Sequence, residues 1–203
     1  MSRSSGPAGR PEDRPLRVLS ISTLYPSPAK PGFGLFVARQ AQALAARGDV
    51  EIVVVNPVQM LPPPFDRLFN RAERNLPPVA RVGGVEVHYP RFRTIPKLGA
   101  RYNPWLIARA ILPLIRKLHA KRKFDLLDAQ FFFPDGPAVH RIAKMLDLPF
   151  SIKARGSDIH LWGIKPFSRK AMLAAAADAG GLLAVSEGLK VNMTTMGMSP
   201  RKI

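Results

Sequence analysis

The chain has 203 residues, 46% of them hydrophobic, enough to bury a real core in one domain or two small ones. It carries 31 Lys+Arg against 14 Asp+Glu, a formal charge of +17, and no cysteine, which excludes disulfides and thiolate metal sites and fits a reducing, cytoplasmic compartment. It has no run of eighteen apolar residues, and its first fifteen lack the apolar centre of a signal peptide, so residues 1–15 are expected to form a disordered tail and no transmembrane helix is expected.

In chain order, residues 16–22 predict a first strand through Leu16, Val18, Leu19 and Ile21. A loop rich in Pro and Gly over 23–34 leads to a helix over 35–47 that stops at Gly48. Residues 51–56 are β-branched at their centre and predict a strand buried on both faces. Proline-rich residues 57–78 hold a short helix over 65–73, and 85–89 alternate as a third strand. Asn103-Pro104 opens a helix that Pro113 is expected to kink or divide. The second half reads as a strand over 125–129, a helix from Asp135 to Asp147 and a strand over 148–153. A helix capped by Ser168 and ending at Ala179, a strand over 181–185, and a helix capped by Ser186 follow. Strands alternating with helices of ten or more residues imply parallel βαβ units. The expected fold is a Rossmann-like three-layer α/β/α sandwich with a mostly parallel sheet of about six strands.

The positive charge is clustered. Arg91, Arg93, Lys97 and Arg101 precede a segment with Arg109, Arg116, Lys117, Lys121, Arg122 and Lys123, set beside Trp105, Ile107, Ile111, Leu112 and Ile115. A basic amphipathic helix with an interfacial aromatic is a membrane-surface pattern, and weak association with an anionic membrane is expected from it. An ordinary core helix with a solvated basic face gives the same pattern. Nucleic acid as a partner draws only on the net charge, because no RNP, KH, zinc-finger or clear helix-turn-helix pattern accompanies it.

The strand over 148–153 runs straight into Arg155-Gly156-Ser157-Asp158, at a strand end where open α/β sheets bind ligands. Arg155 offers a fork for phosphate or carboxylate, and Gly156 lets a ligand approach the backbone. Ser157 and Asp158 add a hydroxyl and an acceptor, although either could simply satisfy loop or helix-start amides. Other chemistries fail on spacing. Pro31-Gly32-Phe33-Gly34 has Val37 where a dinucleotide fingerprint needs its third glycine, and no Walker sequence is present. Ala184-Val185-Ser186-Glu187-Gly188 resembles a nucleophile elbow, but all four histidines precede Ser186, so Ser186 reads as a helix cap. Those histidines (His88, His119, His140 and His160) lack ligand spacing, and no metal site is expected.

The motifs taken together resemble the N-terminal domain of retaining, family 4 glycosyltransferases of the GT-B fold. The likeness runs through Arg17-Val-Leu-Ser-Ile-Ser22, the Gly32/Gly34 loop and the helix after it, and the stretch from Asp125 to Gly136. It continues through Phe150 to Ile159, Ala184 to Lys190 and Met196 to Ile203, nearly the whole chain from Leu16. The resemblance implies an acceptor-side domain that lends its glycine loop to the donor's phosphates. Gly32 and Gly34 would form that loop, and Gln130, Asp135, Arg155, Ser157 and Asp158 would border the cleft. Gln130 and Arg155 stand where many relatives have His, and Gln cannot exchange a proton near neutral pH.

The resemblance also implies a second Rossmann-like, donor-binding domain that this sequence does not contain, so residues 16–203 would be half an enzyme, inactive alone. A nucleotide sugar would be the donor co-substrate, with no resident cofactor, and the acceptor a sugar or lipid-linked sugar in glycolipid or polysaccharide assembly. A separately encoded C-terminal domain would be a partner, and the location cytoplasmic, peripheral at the inner face of the plasma membrane. The competing readings are a non-catalytic partner subunit and a basic anion- or nucleic-acid-binding domain.

Overall fold

The computed structural model describes residues 14–94 and 99–203. Most of the tail expected over 1–15 lies outside the described residues, as does Lys97. Arg14, assigned to that tail, instead forms a two-pronged pair with Asp125 at 2.5 and 2.8 Å.

The first half runs β1 (Leu16–Ile21), α1 (Leu35–Ala46), β2 (Val50–Val55), β3 (Val58–Met60), α2 (Phe65–Phe69) and α3 (Arg71–Arg74). It continues with β4 (Val79–Val82), β5 (Val85–His88), β6 (Arg91–Arg93) and the long α4 (Gly99–Lys121). The second half is β7 (Leu126–Ala129), α5 (Asp135–Leu146), β8 (Phe150–Ala154), a π-helical turn (Asp158–Trp162), α6 (Pro166–Asp178), β9 (Gly181–Ala184) and α7 (Glu187–Thr195). The main sheet has the order β4-β5-β2-β1-β7-β8-β9, and every pairing is parallel except β4 with β5. This is the expected Rossmann-like sandwich with seven strands rather than six.

The seventh strand is β4, an edge hairpin partner of β5. Gly83 and Gly84 turn it with φ of 55° and 83°, a left-handed pair that matches the strand twist. β3 and β6 form a separate parallel pair and were also unforeseen. They are three residues long and carry too little alternation to register as a period.

Alternation in the central strands sends side chains to two cores. Leu19, Ile21, Leu127, Ala129, Ile152 and Ala154 pack in one cluster with Ile107, Ile111 and Ile115 of α4 and Ile142 of α5. Val18, Ile52, Val54 and Val87 pack in the other with Val37, Ala38 and Ala41 of α1. Each full burial of a Val, Leu or Ile is worth roughly 1.5–3 kcal/mol, so the two faces together fix the register.

Three local expectations are corrected. α4 starts at Gly99, before Asn103, and continues through Pro104 and Pro113 without division. Its fully buried row of Ile107, Ile111 and Ile115 holds it in place despite the two missing amide donors. Ser168 does not cap α6: Pro166 begins that helix, and the Ser168 hydroxyl donates back to the Trp162 and Lys165 carbonyls at 2.5 and 3.2 Å. Arg91 is not a surface cation, because its guanidinium donates to the carbonyls of Tyr89, Glu73, Arg74 and Leu76. Arg122 is also engaged, paired with Glu51 at 2.7 Å. No described helix is long and apolar enough to cross a membrane.

Candidate functional site

β1, β2, β7 and β8 run parallel, so their carboxyl ends share one edge of the sheet, the edge where open α/β folds bind ligands. A cleft of about 340 Å³ opens there, lined by Tyr25, Lys30, Phe33, Asn56, Asn103 and Trp162 among others. The loop from β1 to α1 forms one wall. Asn56 Nδ2 donates to the Ser22 carbonyl at 2.7 Å, the Ser22 hydroxyl donates to the Leu24 carbonyl at 2.7 Å, and Lys30 pairs with Glu73 at 2.8 Å. Tyr25 Oη is buried with no hydrogen-bond partner, and burial pushes its pKa up to about 12.

Gly32 and Gly34 flank Phe33 on this wall and differ in kind. Gly32 has open space where a Cβ would stand. Gly34 sits at φ 73° and ψ 28°, and a Cβ there would meet the Leu24 carbonyl oxygen at 2.5 Å. Gly34 therefore has a structural duty that Gly32 lacks. Behind it α1 begins with no side-chain cap and no acidic residue in its first turn, leaving amides and the positive helix end available to an anion.

Arg155 closes the edge between β7, β8 and α1. Its Nη2 donates to Gln40 Oε1 at 2.6 Å and to Gln130 Oε1 at 2.5 Å, and its Nε donates to the Gln130 carbonyl at 3.3 Å. The guanidinium also lies over the Phe36 ring, 5.3 Å from its centre. Burial lowers its pKa, opposed by Asp128 and Asp158.

Gln130 passes the contact inward, donating from Nε2 to Ser20 Oγ and Asp128 Oδ2, both at 2.7 Å. Asp128 in turn accepts from Ser151 Oγ and pairs with Lys153. These residues share one face because β-strand side chains alternate, and their sheet register places Ser20 opposite Asp128 and Asp128 opposite Ser151. The partner set of Gln130 leaves its amide no proton-handling part.

Of the seven sequence-predicted residues, three have buried side chains: Gln130, Asp135 and Asp158. Asp158 accepts from four backbone amides: Phe132 at 2.7 Å, Arg155 at 3.0 Å, Gly156 at 2.9 Å and Ile159 at 3.1 Å. It ties the loop after β7 to the loop after β8. Asp135 accepts from the Thr23 amide at 3.2 Å and hydroxyl at 2.9 Å, bracing the start of the β1–α1 loop. Gly32 and Ser157 are exposed and Arg155 is half-buried, whereas Gly34 is buried beneath the loop.

The predicted residues line two openings rather than one. The glycine loop borders the first cleft, while Arg155 and Gly156 border a shallower cavity of about 530 Å³ with His160, Val185 and Asn192. Sequence reasoning missed Gln40 and Phe36, although their i, i+4 spacing on α1 puts both on one helix face. Lys153, with Asp128, was passed over as strand interior.

Ser186 behaves as the expected cap, accepting from the Leu189 amide at 3.2 Å. His140 bonds Asp178, His88 bonds Glu86, and His119 Nδ1 accepts from the Phe124 amide. Among the described residues no group of three or more His, Cys, Asp and Glu is placed to hold a metal.

Burial raises the Asp135 pKa to about 7, with the Thr23 hydrogen bonds opposing the rise. A carboxyl with a folded-state pKa above its unfolded value near 3.8 favours folding only while protonated. Its contribution is complete below that unfolded value and is lost as pH rises through about 7. Chemical denaturation between pH 4 and 7 should show stability falling by up to about 1.4 kcal/mol per pH unit. Asp135→Asn should flatten that slope, and an unchanged slope would remove Asp135 as its source.

The description "Glycosyltransferase Family 4" matches residues 31–203. TuaC of Bacillus subtilis (strain 168), named as a glycosyltransferase of teichuronic acid biosynthesis, is 28% identical over 180 residues, 86% of this chain and 45% of TuaC. Among solved structures, Anabaena Alr3699/HepE in complex with UDP and glucose superposes with a TM-score of 0.55 at 13% identity, covering 92% of this chain and 43% of that one. UDP-GlcNAc 2-epimerase from Neisseria meningitidis bound to UDP-GlcNAc gives a TM-score of 0.52 at 12% identity, over 92% and 45%. These two likenesses establish the fold, and this chain spans about half the length of each protein named. With the family description covering all but the first strand of the sheet, the chain belongs to Glycosyltransferase Family 4.

Proposed function

We propose that the chain is the acceptor-side half of a nucleotide-sugar-dependent glycosyltransferase of polysaccharide or glycolipid assembly. The observation that carries this reading is the strand-end cleft, walled by the glycine loop, beside an uncapped helix start and a pinned guanidinium. The amides around Gly32 and Gly34 meet the donor's diphosphate, where negative charge grows as the glycosidic bond breaks. Arg155 and Ser157 contact an anionic or hydroxyl-rich group of the bound sugars. Gln130 positions Arg155 and leaves proton transfer to other groups. The nucleotide sugar is a co-substrate and no resident cofactor is required. The acceptor is a sugar or lipid-linked sugar, which places the protein peripherally at the cytoplasmic face of a membrane.

The donor-binding surface belongs to a second domain, carried by the same gene product or a separate one. Catalysis needs donor and acceptor held in attack geometry, so residues 1–203 alone should transfer no sugar above background from a panel of nucleotide sugars. Joining or adding a family 4 C-terminal domain should restore transfer. In that complemented enzyme Arg155→Ala should cut turnover at least tenfold, about 1.4 kcal/mol of transition-state stabilisation. Transfer by the chain alone, or full turnover in the variant, would overturn the assignment.

A further inference from the structure

α4, α5 and α6 enclose a second groove, on the far side of the wall made by Phe133, Trp162 and Phe167. The Phe133 and Trp162 rings are 4.8 Å apart, and Phe167 meets each edge-on at 6.1 and 6.4 Å. The groove encloses about 530 Å³, within the range of roughly 300–1,000 Å³ typical of small-molecule sites. Arg101, Arg141 and Lys170 line it, all three are exposed, and no carboxylate does. Among the described residues none of the three forms an ion pair, unlike Lys30, Lys144, Lys153 or Arg122 elsewhere on the chain.

A second, apolar trough of about 230 Å³ continues from the first and shares Trp105 and Arg141 with it. Its floor is Ala108, Leu112, Pro113 and Met145. Trp105 and Met145 are 46% and 59% exposed, which leaves apolar surface open along the trough. Arg109 adds a fourth cation, stacked over Trp105 at 5.6 Å.

Cations gathered around the groove, with a mainly hydrocarbon trough that Arg109 and Arg141 flank leading away from it, match a molecule with one anionic head and one apolar tail. A nucleic acid would need a track of phosphate contacts and stacked bases instead. We propose that this groove is a lipid-phosphate site: Arg101, Arg141 and Lys170 hold the phosphate, and Trp105, Leu112 and Met145 take the chain. The wall residues explain why the site matters to the cleft. Asn103 and Pro134 line the cleft, while their neighbours Pro104 and Phe133 line the groove. A lipid held by its phosphate in the groove would present a headgroup sugar toward the strand-end cleft. The inference deepens the lipid-acceptor reading and rests on it, but its test reads lipid binding rather than sugar transfer, so either can fail alone.

The chain has two tryptophans, so Trp162→Phe leaves Trp105 as the sole reporter. Vesicles of phosphatidylglycerol with brominated acyl chains should quench Trp105, and brominated phosphatidylcholine vesicles should not. In the full chain, the triple change R101E/R141E/K170E should weaken anionic-vesicle binding at least about tenfold. Met145→Glu should abolish quenching while leaving part of the electrostatic binding. The control R39E/R81E/R201E removes the same charge from exposed cations on other elements and should weaken binding far less. Equal loss in that control would reduce the effect to net charge and overturn the site. Equal quenching by the neutral lipid would overturn it too. So would binding that survives both groove variants but is lost in L68E/F69E on α2, whose Leu68 and Phe69 are 74% and 65% exposed.

Discussion

Asp158→Ala should destabilise the protein by roughly 3–5 kcal/mol, the upper range for a single substitution. The carboxylate is 2% exposed and accepts four backbone amides from two loops. Removing it leaves buried donors unsatisfied, each costing about 1–3 kcal/mol where water cannot replace the acceptor. Relaxation around the π-helical turn will recover part of that sum, which keeps the net effect within the stated range. Asp158→Asn keeps one carbonyl acceptor but loses charge assistance, so it should fall between wild type and Ala. Ser157→Ala, one residue earlier and exposed, should stay within about 0.5 kcal/mol. Urea denaturation monitored by tryptophan fluorescence checks all three, and a wild-type midpoint for Asp158→Ala would remove the carboxylate as the anchor of this edge.

That outcome bears on how the loop after β8 is read. Arg155-Gly156-Ser157-Asp158 offers two readings from sequence, a ligand loop or a capped turn, and the structure divides them by residue. Asp158 takes the capping duty for several amides, Arg155 lies half-buried against Gln40 and Gln130, and only Ser157 is exposed. A four-residue string cannot reveal this division, because three of the four amides bonded by Asp158 lie on its own loop but the fourth comes from Phe132, 26 residues earlier.

The central strands were legible because each is a β-branched or apolar run bounded by loop residues, and tertiary packing agrees with that local signal. The missed elements share one cause. β3, β4 and β6 have three or four residues each, so pairing with a neighbour rather than sequence period makes them strands. α4 is the opposite case. Its prolines signal a boundary, and the fully buried row Ile107, Ile111 and Ile115 overrides them. The basic stretch misleads in a third way, since counting cations assigns Arg91 and Arg122 to a surface patch. One is spent on carbonyls and the other on Glu51. The groove cations Arg141 and Lys170 come from α5 and α6, beyond the reach of any window along the chain.

The glycine loop should separate structure from function within three residues. Gly34→Ala is expected to cost about 2–4 kcal/mol of stability. A left-handed backbone costs an L-residue about 1–2 kcal/mol, and the new Cβ would also meet the Leu24 carbonyl oxygen at 2.5 Å and the Tyr25 amide nitrogen at 2.9 Å. Those are backbone atoms, and they cannot swing aside as a side chain would. Gly32→Ala meets neither obstacle, with nothing within 4 Å of its Cβ, so its stability should stay within about 0.5 kcal/mol of wild type. In the enzyme complemented with a donor-binding domain, Gly32→Ala should still lower turnover at least about tenfold if the loop amides approach a diphosphate closely. Thermal unfolding of both variants, followed by transfer assays on the folded one, reads the two effects apart. Wild-type turnover in Gly32→Ala would confine the loop to shaping the start of α1, and wild-type stability in Gly34→Ala would mean that the loop can leave the left-handed conformation without loss.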